Sequence, residues 1–159
     1  FTPKKPVVMS WSSGFEELIQ LDPAARENLI VGSNYYYTID NPDNKKFVEA
    51  YKKKFKGVPP GYAGAAGYGL MKMTLLGMQK SGSTEPQKVI TALEEHKGKN
   101  FVGDFEIRGR NHQTVRPFFV LQTKKKNEMK NQYDMAEVVD ISSTEQPKNI
   151  NMCKDIGSF

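Results

Sequence analysis

Residues 61–80 constrain the fold most strongly, because they are apolar on nearly every side. They read GYAGAAGYGLMKMTLLGMQK, and Lys72 is the only charged residue before Lys80. Each of the five glycines costs an isolated helix about 1 kcal/mol relative to alanine, so packing has to hold such a helix together. We therefore predict a buried helix whose small residues let another backbone come close. The apolar run before Lys72 is too short to span a membrane.

Around this helix, strand patterns alternate with helix patterns. Residues 15–21 carry apolar side chains at helical spacing, and Asn41 before Pro42 is typical of the start of a second helix. The segments with the pattern of strands are 6–11, 29–36, 101–108 and 115–123, and 133–141 predicts either a strand or a helix. Strands and helices in this order predict an α/β chain with a largely parallel sheet.

Two further helix starts carry the pattern of a capping box. Ser13 followed by Glu16 predicts one such box, with the helix starting at Gly14. Thr84 followed by Gln87 predicts the other. In each box the first side chain accepts a hydrogen bond from the backbone of the third helical residue, whose own side chain accepts one in return.

Residues 7–18 read VVMSWSSGFEEL and combine a strand, a serine-rich loop and a helix. In open α/β sheets, ligands bind beyond the carboxyl ends of strands, where helix N–H groups and serine hydroxyls can hold an anion. Trp11, the only tryptophan, would offer an apolar wall or a stacking face there. The alternative is purely structural, with Ser13 capping the helix and Trp11 packed in the core. The residues by themselves leave both interpretations open.

The positive charge of the chain is spread along its length. The formal net charge is +5, but the lysines form several separate clusters and only four arginines are present. A nucleic-acid surface more often gathers arginines and aromatic residues in one patch, so the sequence does not favour nucleic acid as a partner. Cys153 is the single cysteine and forms no disulfide within the chain. It is either a structural thiol of the tail or the partner of a cysteine outside this chain.

No combination of residues predicts catalysis. Ser12 and Ser13 lie in a strand-to-helix turn, but the G-x-S-x-G pattern of a nucleophile elbow is absent. The neighbouring carboxylates of Glu16 and Glu17 point apart on a helix, which predicts exposure to solvent. One cysteine and two histidines do not make a Cys/His metal site. We therefore predict a binding protein, not an enzyme, without a catalytic residue, metal or cofactor.

Two long stretches carry a family resemblance. In NYYYTIDNPDNKKFVEAYKKKFKGVPPGYAGAAGYGLMKMTLLGMQKSGS, an aromatic residue, an N-P turn, an F-x-x-x-Y pair and a P-x-x-Y-A helix start follow one another. The second stretch is TALEEHKGKNFVGDFEIRGRNHQTVRPFFVLQT, in which the patterns of a helix, a glycine-led strand, a turn and a final strand follow one another. In this order they resemble the C-terminal part of a type I periplasmic solute-binding protein, of the branched-chain amino-acid-binding family of ABC transporters. The resemblance covers roughly residues 6–125.

The resemblance implies parts of two Rossmann-like α/β lobes that close around a solute like a Venus flytrap, in an incomplete chain. Residues 1–33 would belong to the second lobe and 34–114 to the first. Residues 115–159 would return to the second lobe and continue as a C-terminal tail. The implied partner is the missing N-terminal part of the same protein or a swapped copy, because this fragment alone would expose apolar sheet edges.

The resemblance also implies a set of ligand-binding residues. In amino-acid-binding members, the loop after the strand matching 6–11 supplies an acidic residue for the ligand ammonium, and this chain has Trp11 there. Near the start of the helix at 61–80, the family often has a large ligand-facing side chain, and this chain has Ala65. One of three consecutive tyrosines would line the hinge side of the cleft. The implied set is Trp11, Ser12, Ser13, Tyr36, Tyr62 and Ala65.

The implied function is that of an extracytoplasmic receptor, periplasmic or extracellular in a bacterium. It would bind a small solute between the lobes and dock on the membrane permease of an ABC importer. A stacking tryptophan, a lost carboxylate and a vacated pocket favour an amino acid-like solute or an aromatic or apolar acid. The alternative is a ligand-sensing regulatory domain of the same fold, in which closure changes the state of a partner.

Overall fold

The computed structural model describes residues 7–9, 14–94, 96–109 and 111–143, with the backbone alone for 7–9. The helices of these residues are α1 (Phe15–Leu18), α2 (Pro42–Lys54), α3 (Tyr62–Ser81) and α4 (Pro86–Leu93), and a short 3-10 helix spans Lys126–Glu128. The strands are β1 (Val7–Met9), β2 (Leu29–Ser33), β3 (Lys97–Asn100), β4 (Gly103–Ile107), β5 (Thr114–Val115), β6 (Pro117–Thr123) and β7 (Ala136–Ser143). The predicted mixture of helices and strands is confirmed, and the segment predicted as strand or helix forms a strand.

The strands form two sheets. One has the order β1-β2-β6-β7 and the other the order β3-β4-β5. β1 and β2 are parallel, with Val8 opposite Ile30, as befits two strands joined by a helix. β2 and β6 are antiparallel, with Val31 opposite Leu121, and both pairs of the second sheet are antiparallel. The prediction of a largely parallel sheet is therefore wrong for the described residues, because apolar patterning indicates a strand but not its direction.

The described residues divide into two compact units. The first comprises 7–9, 14–65 and 118–142, and the second comprises 66–94, 96–109, 111–117 and 143. The first unit contains the four-stranded sheet, α1 and α2, and the second contains the three-stranded sheet and α4. Because contacts within a chain do not assign lobes, the lobe boundaries at residues 33 and 114 stay a prediction.

Alternating residues of β2 and β6 build the interior of the first unit. Val31, Phe119 and Leu121 are at most 1% exposed, and Leu18 of α1 and Met135 ahead of β7 are fully buried with them. Burying each such side chain contributes roughly 1.5–3 kcal/mol. Leu18 therefore anchors the short helix α1 to the unit, although a helix of one turn has little stability of its own.

The helix α2 begins as the sequence predicts. The side chain of Asn41 accepts hydrogen bonds from the backbone N–H groups of Asp43 and Asn44, at 2.9 and 3.2 Å. This confirms Asn41 as the N-cap, and Pro42 occupies the first helical position.

The capping box predicted for α4 is wrong. Pro86 is the first helical residue, so the N-cap is Glu85 rather than Thr84, and its side chain makes no capping hydrogen bond. Proline fits the first turn of a helix because that position needs no N–H group. The position of Pro86 therefore sets the start of α4 more strongly than the Thr84–Gln87 pattern does.

The helix α3 forms over Tyr62–Ser81, but it is not buried in the described chain. Leu70, Met71 and Leu75 are 71%, 60% and 55% exposed, so the prediction of a buried helix is wrong here. Its glycines do permit close packing on the other side. A Cβ added at Gly77 would lie 2.8 Å from Cγ1 of Val89 on α4. Within the described residues, no helix is long and apolar enough to cross a membrane.

Candidate functional site

The candidate site lies in the first unit, where the chain passes from β1 to α1. Because β1 and β2 are parallel, their carboxyl ends meet at one edge of the sheet, which is where such sheets bind ligands. The predicted ligand residues Trp11, Ser12 and Ser13 lie outside the described residues. The site can therefore be described from Gly14 onward, and Gly14 directly follows Ser13 in the sequence.

The start of α1 differs by one residue from the prediction. Gly14 is the N-cap, and its backbone N–H donates to Oε2 of Glu17 at 2.7 Å. The predicted box with Ser13 as cap and Glu16 as its partner is therefore wrong. Because the helix begins at Phe15, its third residue is Glu17 rather than Glu16.

The carboxylate of Glu16 lies against Gly61, the residue before α3. A Cβ added at Gly61 would lie 1.1 Å from Oε1 of Glu16, so only glycine leaves room for the carboxylate there. The first N–H groups of a helix have no partner within the helix and carry a partial positive charge, which suits a carboxylate. Within the described residues, Oε2 of Glu16 is buried and has no hydrogen-bond partner.

The surroundings of Glu16 raise the pKa of its carboxyl above the ordinary 4.5. Burial is the main cause, because it penalises the charged form. A hydrogen bond from its own backbone opposes the rise, the nearby Glu17 carboxylate adds to it, and a hydrogen bond from the backbone of Tyr62 opposes it. The prediction that Glu16 and Glu17 face solvent as a separated pair is therefore wrong, because both carboxylates turn toward Gly14 and the helix starts.

Tyr62, the first residue of α3, lies beside this carboxylate. A Cβ added at Gly14 would lie 3.5 Å from Cδ1 of Tyr62, which places the Tyr62 ring next to the residue that follows the serine loop. Ala65 lies one turn further along α3 and is 2% exposed. Gly14, which directly follows the predicted ligand residues 11–13 in the sequence, thus lies beside the start of α3.

The three tyrosines after β2 are packed in the first unit. The hydroxyl of Tyr35 donates to Oδ1 of Asn44 at 2.8 Å. The hydroxyl of Tyr36 accepts from the Ala136 N–H at 3.1 Å, and Tyr36 is 1% exposed. They follow β2, which ends at Ser33, rather than belonging to a strand. Burial gives Tyr36 a packing role in this chain, and its role in ligand binding stays a prediction.

Tyr37 is less buried than its two neighbours and packs at the edge of the same cluster. Its hydroxyl donates to the backbone carbonyl of Tyr133 at 2.8 Å, and its ring meets Phe15 of α1 edge-on at 6.3 Å. Burial raises the pKa of Tyr37 to about 12, with a contribution from Asp134. The Phe15 ring of α1 thus packs against the aromatic residues that follow β2.

The histidines and acidic residues of the described chain do not form a metal site. Within the described ranges, no group of three or more His, Cys, Asp or Glu side chains is placed to hold a metal ion. His96 contacts Nζ of Lys80, and Nε2 of His112 lies 2.9 Å from Oε1 of Glu94. Both histidines thus have partners in the second unit. Cys153 lies outside the described residues.

Sequence reasoning did not include Glu16 or Gly61 in the candidate site. Glu16 looked like an ordinary surface carboxylate of an amphipathic helix, and its neighbour Glu17 has the same type of side chain. The usable signal was Gly61 between Pro60 and Tyr62, because a glycine directly ahead of a long helix leaves space above the helix start. The sequence gives no indication of which side chain fills that space.

Comparison with known proteins assigns the family. A family model described as periplasmic binding protein matches residues 1–128 of the chain. The chain belongs to the periplasmic binding protein family. This confirms the family suggested by the two sequence stretches, and the mixed α/β architecture is that of the type I fold. No curated protein matches the chain.

Several solved structures resemble the chain. An amino acid ABC transporter substrate-binding protein from Pseudomonas fluorescens Pf-5 has a TM-score of 0.83 and 26% identity, covering 90% of this chain and 38% of its own. A branched-chain amino acid ABC-type transporter protein from Rhodopseudomonas palustris CGA009 has a TM-score of 0.61 and 25% identity, covering 71% and 30%. A leucine binding protein from Thermotoga maritima MSB8 has a TM-score of 0.64 and 23% identity, and the match covers 87% of this chain and 37% of that protein. The chain thus spans well under half of each of these proteins.

Replacing Glu16 by glutamine is expected to change how the free energy of unfolding depends on pH. Because the pKa of Glu16 is raised in the folded chain, the folded state binds the proton more tightly than the unfolded state does. Relative to Glu16→Gln, the wild-type chain should lose stability as pH rises from 4.5 through the raised pKa, and the difference should be constant above it. Urea unfolding at a series of pH values measures this difference. A wild-type chain that gains stability over the variant as pH rises would contradict the role of burial.

Proposed function

We propose that this chain is part of an extracytoplasmic receptor of an ABC importer and is not an enzyme. It binds a small solute between two lobes, and the closed form docks on a membrane permease. The observation that carries the proposal is the contact between Gly14 and Tyr62, which supports one site built from the loop at 11–13 and the start of α3. Membership of the periplasmic binding protein family supports the location outside the cytoplasm.

The site residues favour a solute that has an apolar body and one polar end. Trp11 supplies an aromatic face, and Ser12 and Ser13 supply hydroxyl donors for a carboxylate. Tyr62 closes the side at α3, and the small Ala65 leaves room for a larger ligand. Tyr36 would contribute from the hinge side. We therefore propose an amino acid-like solute or an aromatic or apolar acid.

The unpaired oxygen of Glu16 refines this choice. Within the described residues, this buried oxygen has no hydrogen-bond donor, so a ligand ammonium group would satisfy it. An aromatic or aliphatic amino acid has both the ammonium and the carboxylate that such a site takes. A simple aromatic acid has only the carboxylate, so the comparison of these two ligand types is informative.

Solved relatives suggest the ligands for a first test. The Pseudomonas fluorescens protein is named for amino acids, and a solute-binding protein from Rhodopseudomonas palustris BisB5 was solved with 3,4-dihydroxybenzoic acid. The latter is 20% identical to this chain, so its likeness concerns the fold alone and only guides the choice of ligand. The panel is L-leucine, L-phenylalanine and 3,4-dihydroxybenzoic acid.

Replacing Trp11 by alanine in the complete receptor should weaken binding of the preferred panel ligand. Loss of a stacking face is expected to lower the affinity about tenfold, which corresponds to about 1.4 kcal/mol. Isothermal titration calorimetry measures the affinity of both proteins. The matched control is Phe55→Ala, which removes a half-exposed ring directly after α2 that is not among the candidate residues. Unchanged affinity of the Trp11 variant would contradict the proposed site, and heat-silent titrations with every panel ligand would contradict the solute class.

We also propose that the exposed apolar face of α3 packs against the remainder of the receptor. Leu70, Met71 and Leu75 are more than half exposed, and Leu75 borders a groove of about 330 Å³ with Phe101 and Phe105. An apolar face of this kind on one helix is unusual for a protein surface that faces only water. The chain spans 38% of the Pseudomonas fluorescens protein, whose remaining length would suffice to cover the face.

When the 159-residue chain is purified, it is therefore expected to carry a bound companion segment or to pair with a second copy of itself. Leu70→Ser combined with Leu75→Ser should abolish the association, because it removes the apolar contact. Native mass spectrometry measures the mass of the assembly. Phe55→Ser, which changes an exposed apolar residue directly after α2, should leave the assembly intact. A wild-type chain that is monomeric and free of any companion would contradict this proposal.

A further inference from the structure

We propose that the groove between α3 and the hairpin of β3 and β4 is a separate binding site for a linear monocarboxylate, such as a medium-chain fatty acid. The alkyl chain of the ligand would lie along the apolar floor, and its carboxylate would lie at Lys80 and His96. All residues that line the groove belong to the second unit, whereas the candidate solute residues belong to the first. The inference therefore goes beyond the proposed function and does not depend on it.

The floor of the groove is apolar, and its size is that of a small-molecule site. Its volume is about 330 Å³, and ligand sites usually occupy roughly 300–1,000 Å³. Met73 and Leu76 of α3 line one side, and Phe101 after β3 and Phe105 of β4 line the other. Both phenylalanine rings are buried in the second unit, so the hairpin presents a fixed wall. An alkyl chain along these side chains would be removed from water.

The groove is long because it follows α3. Its lining on this helix extends from Gly69 to Gln79, which is about 15 Å at 1.5 Å per residue. Gly69 lets the hairpin approach one end of the groove, since a Cβ added there would lie 3.2 Å from Cε1 of Phe101. A volume of about 330 Å³ spread over this length favours a linear chain over a compact ring system.

The lysines of the hairpin already have acidic partners. Nζ of Lys97 lies 3.3 Å from Oε2 of Glu106. Nζ of Lys99 lies 3.6 Å from Oδ1 of Asp104. Each pair joins β3 to β4, whose residues stand opposite each other in the same register. The positive charge of the hairpin is therefore largely balanced within the hairpin itself.

The lysines of α3 at the groove are not balanced in this way. Within the described residues, neither Lys72 nor Lys80 forms an ion pair with a carboxylate. Nζ of Lys72 lies 5.4 Å from the centre of the Tyr68 ring, and Nζ of Lys80 contacts Nδ1 of His96. The described side chains that line the groove include no acidic residue. The groove thus carries uncompensated positive charge, which suits an anionic ligand.

Lys80 and His96 mark the end of the groove that suits a carboxylate. Burial, followed by the charge of Lys80, lowers the pKa of His96 below the ordinary 6.5. A carboxylate beside both groups would accept hydrogen bonds from the ammonium and the ring, and would favour the protonated ring. The rings of His96 and Phe105 have centroids 5.3 Å apart, so this end adjoins the apolar floor. One ligand can therefore contact both.

The NMR signals of the His96 ring test the position of the carboxylate in the 159-residue chain. Octanoate should raise the pKa of His96, because a negative charge nearby favours the protonated ring. The probe 1-octanol has the same chain without the charge and should not raise it. His112 lies 2.9 Å from Glu94 and does not line the groove, so its ring signals should not respond to octanoate. A pKa of His96 that octanoate leaves unchanged would overturn the proposal.

Calorimetry with the complete receptor tests the contribution of the charge. Lys80→Gln should weaken octanoate binding about fivefold, because an ion pair close to solvent contributes modestly. The same variant should bind 1-octanol as the wild type does. The matched control is Lys53→Gln, which removes an exposed lysine of α2 in the first unit and should leave octanoate binding unchanged. Equal octanoate affinity of the wild type and Lys80→Gln would overturn the proposal.

A second set of measurements tests the apolar floor. Each buried methylene group should strengthen binding about fourfold, so octanoate should bind more than tenfold more tightly than hexanoate. Met73→Trp places a larger side chain in the groove and should weaken binding of octanoate and 1-octanol alike. Circular dichroism checks the folding of this variant, and if it does not fold, Lys80→Gln decides. Equal affinity for hexanoate and octanoate would contradict an alkyl-binding floor.

The remainder of the receptor is the other possible occupant of the groove. Of the three α3 side chains proposed to pack against that remainder, Leu75 borders the groove, and Leu70 and Met71 do not line it. Octanoate should therefore bind to the complete receptor as well as to the 159-residue chain. Binding to the 159-residue chain but not to the complete receptor would show that the remainder fills the groove, and it would overturn the proposal.

The solute panel keeps this proposal distinct from the proposed function. Lys80→Gln should bind the preferred panel ligand as tightly as the wild type does, because Lys80 is not among the candidate solute residues. Octanoate binding that depends on Lys80, together with no binding of any panel ligand, would support the groove site and contradict the proposed solute class. Binding of a panel ligand without any octanoate binding would do the reverse.

Discussion

The carboxylate of Glu16 between Gly14 and Gly61 is the contact on which the candidate site depends. It joins α1, a helix of a single turn, to the start of the much longer α3. Leu18 holds α1 in the first unit through apolar burial, while the carboxylate of Glu16 lies against Gly61 ahead of α3. Without the glycine at 61, the carboxylate and the helix start would occupy the same space. The same contact brings the start of α3, with Tyr62, next to Gly14.

This contact has opposite consequences for stability and for function. A buried carboxylate without a cationic partner costs stability, since water no longer solvates its charge. The start of α3 offsets part of that cost through backbone N–H groups and the helix dipole. What remains is an unsatisfied oxygen at the edge of a site. Unsatisfied polar groups and perturbed carboxylates are more common at functional sites than in ordinary surfaces.

Local sequence patterns predicted the elements better than their surroundings. Asn41 and Pro42 set the start of α2 through contacts within a few residues, so the sequence alone was sufficient there. The exposure of Leu70 and the direction of β6 depend on parts of the fold that are distant in sequence, and no local pattern contains them. The same limit applies to the site. The order of motifs identified the family and brought Tyr62 into the predicted set. The position of the Glu16 carboxylate, however, depends on Gly61, which is far along the chain.

The central claim is that Gly14 and the start of α3 are in contact, and an NMR measurement tests it most directly. In a nuclear Overhauser spectrum of the 159-residue chain, a cross-peak is predicted between an α-proton of Gly14 and the ring δ-protons of Tyr62. A Cβ added at Gly14, which would take the place of one α-proton, would lie 3.5 Å from Cδ1 of Tyr62. This distance is well within the range of the effect. The ring pair Phe15 and Tyr133, with centroids 5.9 Å apart, supplies an internal reference. A visible reference cross-peak without one between Gly14 and Tyr62 would contradict the account.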